Sequence, residues 1–517
     1  MGAMNASTPP PPAGLIYAST RGRWVLAATI LGSAMAAIDA TVVGIALPAI
    51  GRDFNTGLST LQWVVTAYTL TLAGLLLIAG ALGDRYGRRR VFVIGVIWFA
   101  VASALCGFAP GSDTLIAARA LQGIGAALLT PGSLAILQAS FVPDDRSKAI
   151  GAWSGFGGIA TAIGPFIGGW FVQAVSWRLI FFINLPIAAA VVAVTMRHVP
   201  ESHDVEATGR IDTTGGVLVT LGLIGLTYGL IEGPSSGWGS AAVVFALVLG
   251  VLMLIAFGQW EGRAAHPMLP LSVFRSRQFS ATNVVTFIVY GALGGALFLL
   301  PIQLQQVAGY TALEAGISLL PVTAIMLVLS ARSGALASRI GPRLQMTIGP
   351  LIVGAGMALF ARIDAGGSYV TEVLPAVVVF GLGLATTVAP LTSTALGALT
   401  SRRSGLASAI NNDVARAAGL IAVAVLPAAA GITGAAYLHP DQFSSGFHTA
   451  VLIAAGLCVV ASVVAAFTIR NPRPEGRPEP IPIDEHALHC GLDAPPPLLV
   501  SMGGPPDDAQ APPPDRP

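Results

Sequence analysis

Apolar residues lie along this chain in long continuous blocks, not in the alternation of half-exposed strands. Charged or Pro/Gly-rich breaks divide them into fourteen runs. The first six are 24–49, 60–82, 91–109, 113–139, 147–173 and 178–198. Two follow at 212–232 and 240–260, then six more at 279–304, 312–337, 344–362, 370–396, 403–432 and 447–469. About 20 apolar residues make a helix that crosses a ~30 Å hydrocarbon layer, so each run predicts one spanning helix. A membrane barrel would show alternating ten-residue segments instead.

Composition agrees with this pattern. A soluble chain carries roughly 25% charged residues, whereas this one has 10%, with 54% hydrophobic residues and 61 glycines. Mean hydropathy is +0.75, so most of the surface must face lipid. Net charge is only +2, and its placement is more telling. With the N-terminus inside, three of the 27 Lys and Arg (Arg52, Arg178, Arg362) fall outside and two (Arg119, Arg416) fall within spans, leaving 22 in cytoplasmic segments. That bias is the positive-inside rule, and it supports an even span count with both termini cytoplasmic. The N-terminal stretch lacks a cleavable signal pattern, so the first run is expected to remain as a span. The few lysines and many arginines suggest a high-G+C bacterium, hence its cytoplasmic membrane.

Residues 470–517 hold 14 of the 36 prolines and are expected to be disordered. His486 and Cys490 there are too weak a pattern to predict a metal site. Cys106, Cys458 and Cys490 are far apart and imply no disulfide framework. The expected organisation is a tail at 1–23, a six-span bundle at 24–199, an inserted pair at 200–261, a second bundle at 262–469 and a Pro-rich tail at 470–517. A weak repeat supports two bundles. GALGDRYGRR (80–89) aligns with GALASRIGPR (334–343), and QGIGAALLTP (122–131) resembles FGLGLATTVAP (380–390). Each pair occupies the same place in its half. Facing repeats are how many secondary transporters place a site near the midplane.

Charge inside the spans is the candidate chemistry, because an acid near the bilayer centre costs at least ~2.5 kcal/mol and reads as functional by default. Asp39 lies in IDATVVGIALP (38–48) and Arg119 in LIAARALQGIGAA (115–127). By helical rise they sit roughly 13 and 9 Å from the outer ends of spans 1 and 4, close enough to interact if those spans are neighbours. Gln122 and Gly123 share the arginine's face. In span 13, Asn412, Asp413 and Arg416 share a face, with Asp413 around 15 Å deep. Asp413 would meet a cationic substrate or a second proton, or pair locally with Arg416. Trp63, Tyr68, Trp153 and Phe156 are candidate cavity-lining aromatics, with Gln122 and Asn412 as polar neighbours.

Other stretches have distinctive spacing. GALGDRYGRRR (80–90) packs five charges into eleven positions, and WSGFGGIATAIGPFIGGWF (153–171) is Gly-rich around a proline. WRLIFFINLP (177–186) and FLLPIQLQQVAGYTALEAG (298–316) mark spans 6 and 9. Together, over roughly residues 20 to 470, these stretches resemble the major facilitator superfamily, in its fourteen-span drug:proton antiporter branch. The resemblance implies an all-α fold of two six-helix bundles plus two inserted spans. It implies that Gly80, Gly83, Asp84, Arg85, Gly87, Arg88 and Arg89 form a cytoplasmic gate, with Asp84 latching onto the start of span 13 near Ser404. It gives Asp39 and Arg119 to proton coupling, beside which Asp413 is a coupling candidate by its depth alone, and Gly164, Pro165, Gly168 and Gly169 to the motif associated with antiport. Gly44 departs from the branch pattern, where asparagine is usual.

The expected function is proton-coupled export of amphipathic drugs or biocides, with export of an endogenous metabolite or lipid as the alternative. Protons are the coupling ion and no other cofactor is implied. The expected partners are the lipid bilayer and a small amphipathic substrate, with neither nucleic acid nor an obligatory protein partner. An ATP-driven pump is disfavoured because no GxxxxGK[ST] stretch occurs. A membrane enzyme would need polar catalytic clusters or a sizeable soluble domain, and a channel would not need the gate-like loop and repeat.

Overall fold

The fourteen apolar runs fold as fourteen helices in the computed structural model, which describes residues 14–204, 211–400 and 403–471. They are α1 (Thr20–Phe54), α2 (Leu58–Tyr86), α3 (Arg88–Gly107), α4 (Ser112–Ser140), α5 (Pro143–Ala174), α6 (Leu179–His198) and α7 (Thr213–Ser236). Then come α8 (Ala241–Glu261), α9 (Arg277–Val307), α10 (Ala312–Ile340), α11 (Pro342–Phe360), α12 (Tyr369–Gly397), α13 (Gly405–Ala429) and α14 (Pro440–Thr468). At 35 residues, α1 is about 50 Å long and outruns the hydrocarbon layer at its ends. The Pro-rich tail beyond Asn471, with His486 and Cys490, lies outside the described residues. Cys106 and Cys458 are buried, unbridged thiols.

Local chemistry sets the ends. Ser19 caps α1 by accepting from the Gly22 amide. The YTALEAG stretch forms a capping box at α10, where Thr311 accepts from the Glu314 amide and Glu314 accepts from that of Thr311. Gly309, at φ 79°, makes the turn between α9 and α10. Helix α6 is two helical pieces, Leu179–Phe182 and Asn184–His198.

The repeat is carried into packing. In the first half α1 packs on α5 and α6, α2 on α4, and α3 on α4 and α6. The second half repeats each pairing: α9 on α13 and α14, α10 on α12, and α11 on α12 and α14. Glycines permit equivalent approaches. A Cβ on Gly125 would sit 2.6 Å from the Phe99 backbone nitrogen in α3, and one on Gly383 would collide with the Val353 backbone in α11. Helix α7 lies along α2 and α13, with α8 against α7. Phe245, Val248, Leu252 and Ile255 of α8 are exposed, and such a large apolar surface fits lipid.

The halves meet at the end away from residues 84–90. There Gln305 donates to the Ile45 carbonyl (2.9 Å) and Gln62 to that of Val423 (2.6 Å). Towards the basic face, Gly155, Phe156 and Gly158 of α5 and Leu327 and Val328 of α10 are exposed. Hydrogen bonds between the halves thus lie opposite the basic face, and α5 and α10 leave side chains exposed towards it.

Candidate functional site

The Asp39 and Arg119 side chains, 0% and 1% exposed, are the centre of a buried polar knot. Apolar spacing turns both inward, on neighbouring α1 and α4. Arg119 NH1 donates to Asp39 Oδ2 at 2.5 Å and to Gln122 Oε1 at 2.6 Å. Gln122 Nε2 donates to Asp39 Oδ1 at 2.8 Å and to Ser103 Oγ at 3.1 Å. Asn184 Nδ2 bonds Ser103 Oγ at 2.9 Å and reaches Asp39 Oδ1 at 3.4 Å. Arg119 Nε takes the Val64 carbonyl, and its guanidinium lies 4.3 Å from the Tyr68 ring centroid. Buried charges persist only when paired and hydrogen-bonded, and this knot meets that condition from five helices.

Ser103 and Asn184 are knot members that sequence reasoning missed. Asn184 lies in WRLIFFINLP, which the sequence marks only as the start of span 6. That stretch is also held by its start, where Trp177 Nε1 and Arg178 NH1 both donate to Asp53 Oδ2, at 3.0 and 2.7 Å. An asparagine within an otherwise apolar span was the available signal.

Beside the knot, between the halves, is a cavity of about 370 Å³. Ser33 and an alanine face of α1 line it with Tyr68, Thr130, Trp153, Ser154 and, from the other half, Arg416. Trp153 Nε1 donates to Ser33 Oγ (2.9 Å), which donates to Ser133 Oγ (2.7 Å). Tyr68 touches both compartments: it lines the cavity and lies against Arg119.

The other candidates are scattered. Gln122 is in the knot and not in the cavity wall. Trp63 turns to the inserted pair, donating to Glu232 Oε1 of α7 at 2.9 Å. Phe156 is 53% exposed. Asn412 is exposed and bonds the Ser408 carbonyl of its own helix, while its neighbour Asn411 is buried on Asn283 and Thr286. Asp413 and Arg416 form no ion pair with each other; Asp413 Oδ1 and Arg416 Nε are buried without hydrogen-bond partners. Gly44 has no neighbour near a would-be Cβ.

Among the described residues, Asp84 makes no hydrogen bond or ion pair with the start of α13. Its Oδ1 accepts instead from Nε and NH2 of Arg88, at 2.9 and 2.8 Å. The acid at the end of α2 thus pairs with the base that opens α3. The loop also docks on the segment after α6: Gly87, at φ 110°, lies where a Cβ would meet the Glu201 carboxyl, and Glu201 Oε1 accepts from the Arg89 amide (3.0 Å). Of the glycines around Pro165, Gly164 lies on Thr41, Gly168 on Val42 and Gly169 on Ala312 and Leu313, while the Pro165 carbonyl abuts Gly316. These small residues let α5 approach α1 and α10 together.

Comparison with known proteins adds context. A family model described as Major Facilitator Superfamily matches residues 29–424. The chain is 35% identical to the tetracenomycin C resistance and export protein of Streptomyces glaucescens, over 82% of this chain and 79% of that one. It is 34% identical to the puromycin resistance protein pur8 of Streptomyces alboniger (86% and 90% covered) and 36% identical to the multidrug resistance protein Stp of Mycobacterium tuberculosis (78% and 74%). In fold it is similar to the peptide transporter POT in complex with sulfate (TM-score 0.63, 14% identity, 88% and 95% covered). It is also similar to a bacterial homologue of the human lysosomal transporter Spinster (TM-score 0.62, 15%, 87% and 97%).

Proposed function

The chain belongs to the major facilitator superfamily, and from that premise we propose a proton-coupled antiporter that exports amphipathic antibacterial compounds. The basic face is cytoplasmic in this reading, by the positive-inside rule, and the membrane is a bacterial cytoplasmic membrane. Segments 24–199 and 262–469 act as the two moving halves, with 200–261 as an accessory pair. The relatives named for resistance to, or export of, tetracenomycin C and puromycin supply the substrate class.

The observation that carries the proposal is a sealed ion pair separated from an apolar cavity by one aromatic ring. Asp39 holds three donors while ionised. Protonating it removes the charge that Arg119 NH1 is paired with, but Arg119 keeps Gln122 Oε1, the Val64 carbonyl and the Tyr68 face. The cation is therefore not stranded, and the pair can open without the full cost of an unpaired buried charge. Any shift of Arg119 is passed to Tyr68, which forms the cavity wall. A substrate displacing Tyr68 acts in reverse, since coupling between two ligands is reciprocal. In the cycle, outward-facing Asp39 takes up a proton, and the inward-facing form releases it and accepts substrate.

The test uses inside-out vesicles with an acidified lumen, a pH-sensitive dye and a drug panel. Drug-triggered proton efflux in the wild type, absent in Asp39→Asn, is the expected result. Equal efflux in Asp39→Asn would remove Asp39 from coupling and turn attention to Asp413.

A further inference from the structure

We propose that the cavity selects planar aromatic substrates bearing an acidic group, a carboxylate or an ionised phenol, and that Arg416 is the residue that recognises that group. The inference rests on the reading of this cavity as the substrate site.

Arg416 is the cavity's cationic wall residue, and the lining contains no carboxylate. Asp39, in the first half, is 0% exposed and committed to Arg119. Asp413, one turn earlier on α13, forms no ion pair with Arg416, and Arg416 Nε is buried without an acceptor. An arginine in a low-dielectric site with an unfilled donor has a place for an acceptor, and its planar fork suits carboxylate geometry. The remaining wall suits the body of such a molecule. Tyr68 and Trp153 offer aromatic surface, alanines of α1 permit close approach, and the hydroxyls of Ser154, Thr130 and Thr161 offer polar contacts. Trp153 is positioned by its bond to Ser33. A cationic substrate would have to be desolvated beside Arg416 with no acid in the wall to receive it.

The experiment measures binding to the full-length protein in lipid nanodiscs. Three probes share one pyrene body and differ in charge: pyrenebutyrate, pyrenebutanol and a pyrenylbutyl trimethylammonium salt. Energy transfer from protein tryptophan reports binding, with empty nanodiscs as the baseline. The wild type is expected to bind the acid at least about tenfold more tightly than the ammonium probe, as a charge-assisted hydrogen bond implies. Arg416→Gln should bring the acid to the level of the alcohol while leaving alcohol binding intact, and Arg416→Lys should retain part of the preference. Asp413→Asn, which removes a repelling charge, should strengthen acid binding. Preference for the ammonium probe in the wild type, or an acid preference unchanged in Arg416→Gln, would overturn the inference and leave the cavity reading standing. Protein-dependent binding of none of the three would overturn the cavity reading and the inference with it.

Discussion

In the first half, the fourth helix presents Arg119 and Gln122 to a buried acid. At the matching positions of α12, 258 residues on, stand Val377 and Phe380, buried at 0% and 2%. Phe380 packs on Phe360 with ring centroids 5.5 Å apart. The surroundings are otherwise conserved between the copies: Gly123 and Gly125 set α4 against α2 and α3, and Gly381 and Gly383 set α12 against α10 and α11. The duplicated scaffold therefore does not require an ion pair, and a valine and a phenylalanine fill the same place without one. A buried pair is weak evidence for stability as such, so its retention in one half points to a use beyond packing.

The largest effect expected on this contrast comes from making the first half resemble the second. Arg119→Val alone strands the Asp39 carboxylate and should cost about 3–5 kcal/mol. The double variant Asp39→Leu with Arg119→Val should recover most of that loss and yet remain inactive. Thermal unfolding in detergent, followed alongside the vesicle assay, separates the two. A double variant no more stable than the single one would mean the pair is a structural strut.

A smaller effect, expected to be equal in the two halves, tests the shared scaffold. Gly125→Ala drives a methyl into the Phe99 backbone, and Gly383→Ala drives one into the Val353 backbone. Overpacking of this kind costs typically about 1–3 kcal/mol. Melting temperatures of the two variants should fall together. A fall in only one would break the equivalence of α4 and α12.

Sequence pattern carried the helix count, the repeat and the Asp39–Arg119 pairing, because each is encoded by spacing along one or two helices. What it could not carry depended on how helices rotate and which neighbour they acquire. Trp63 faces Glu232 because α7 docks on α2, and nothing in the spacing of span 2 records that. Asn184 and Ser103 enter the knot through the bend in α6 and its packing on α3. The Asp84 pairing with Arg88 depends on how the ends of α2 and α3 meet, which the spacing of the loop does not record.

The smallest expected effect concerns Glu201 and its counterpart. Both copies of the basic loop turn at a glycine of positive φ, Gly87 and Gly341, and both start the next helix under a cap from the segment after the sixth span. Glu201 Oε1 accepts from the Arg89 amide at 3.0 Å, and Asn471 Oδ1 from the Arg343 amide at 3.1 Å. The chemistry around the cap differs. Glu201 also lies 3.6 and 3.7 Å from Arg89 and Arg90, and Arg88 donates to the Ser202 carbonyl where Pro342 has no N–H to place. Glu201→Ala and Asn471→Ala should each cost about 1 kcal/mol, the worth of a lost cap. Glu201→Gln keeps the acceptor and loses only partly exposed ion pairs, so it should cost under about 1 kcal/mol, and its deficit should vanish in high salt. If Glu201→Gln is as damaging as Glu201→Ala, the charge and not the cap holds this loop, and the two copies differ in how they are held as well as in what they hold.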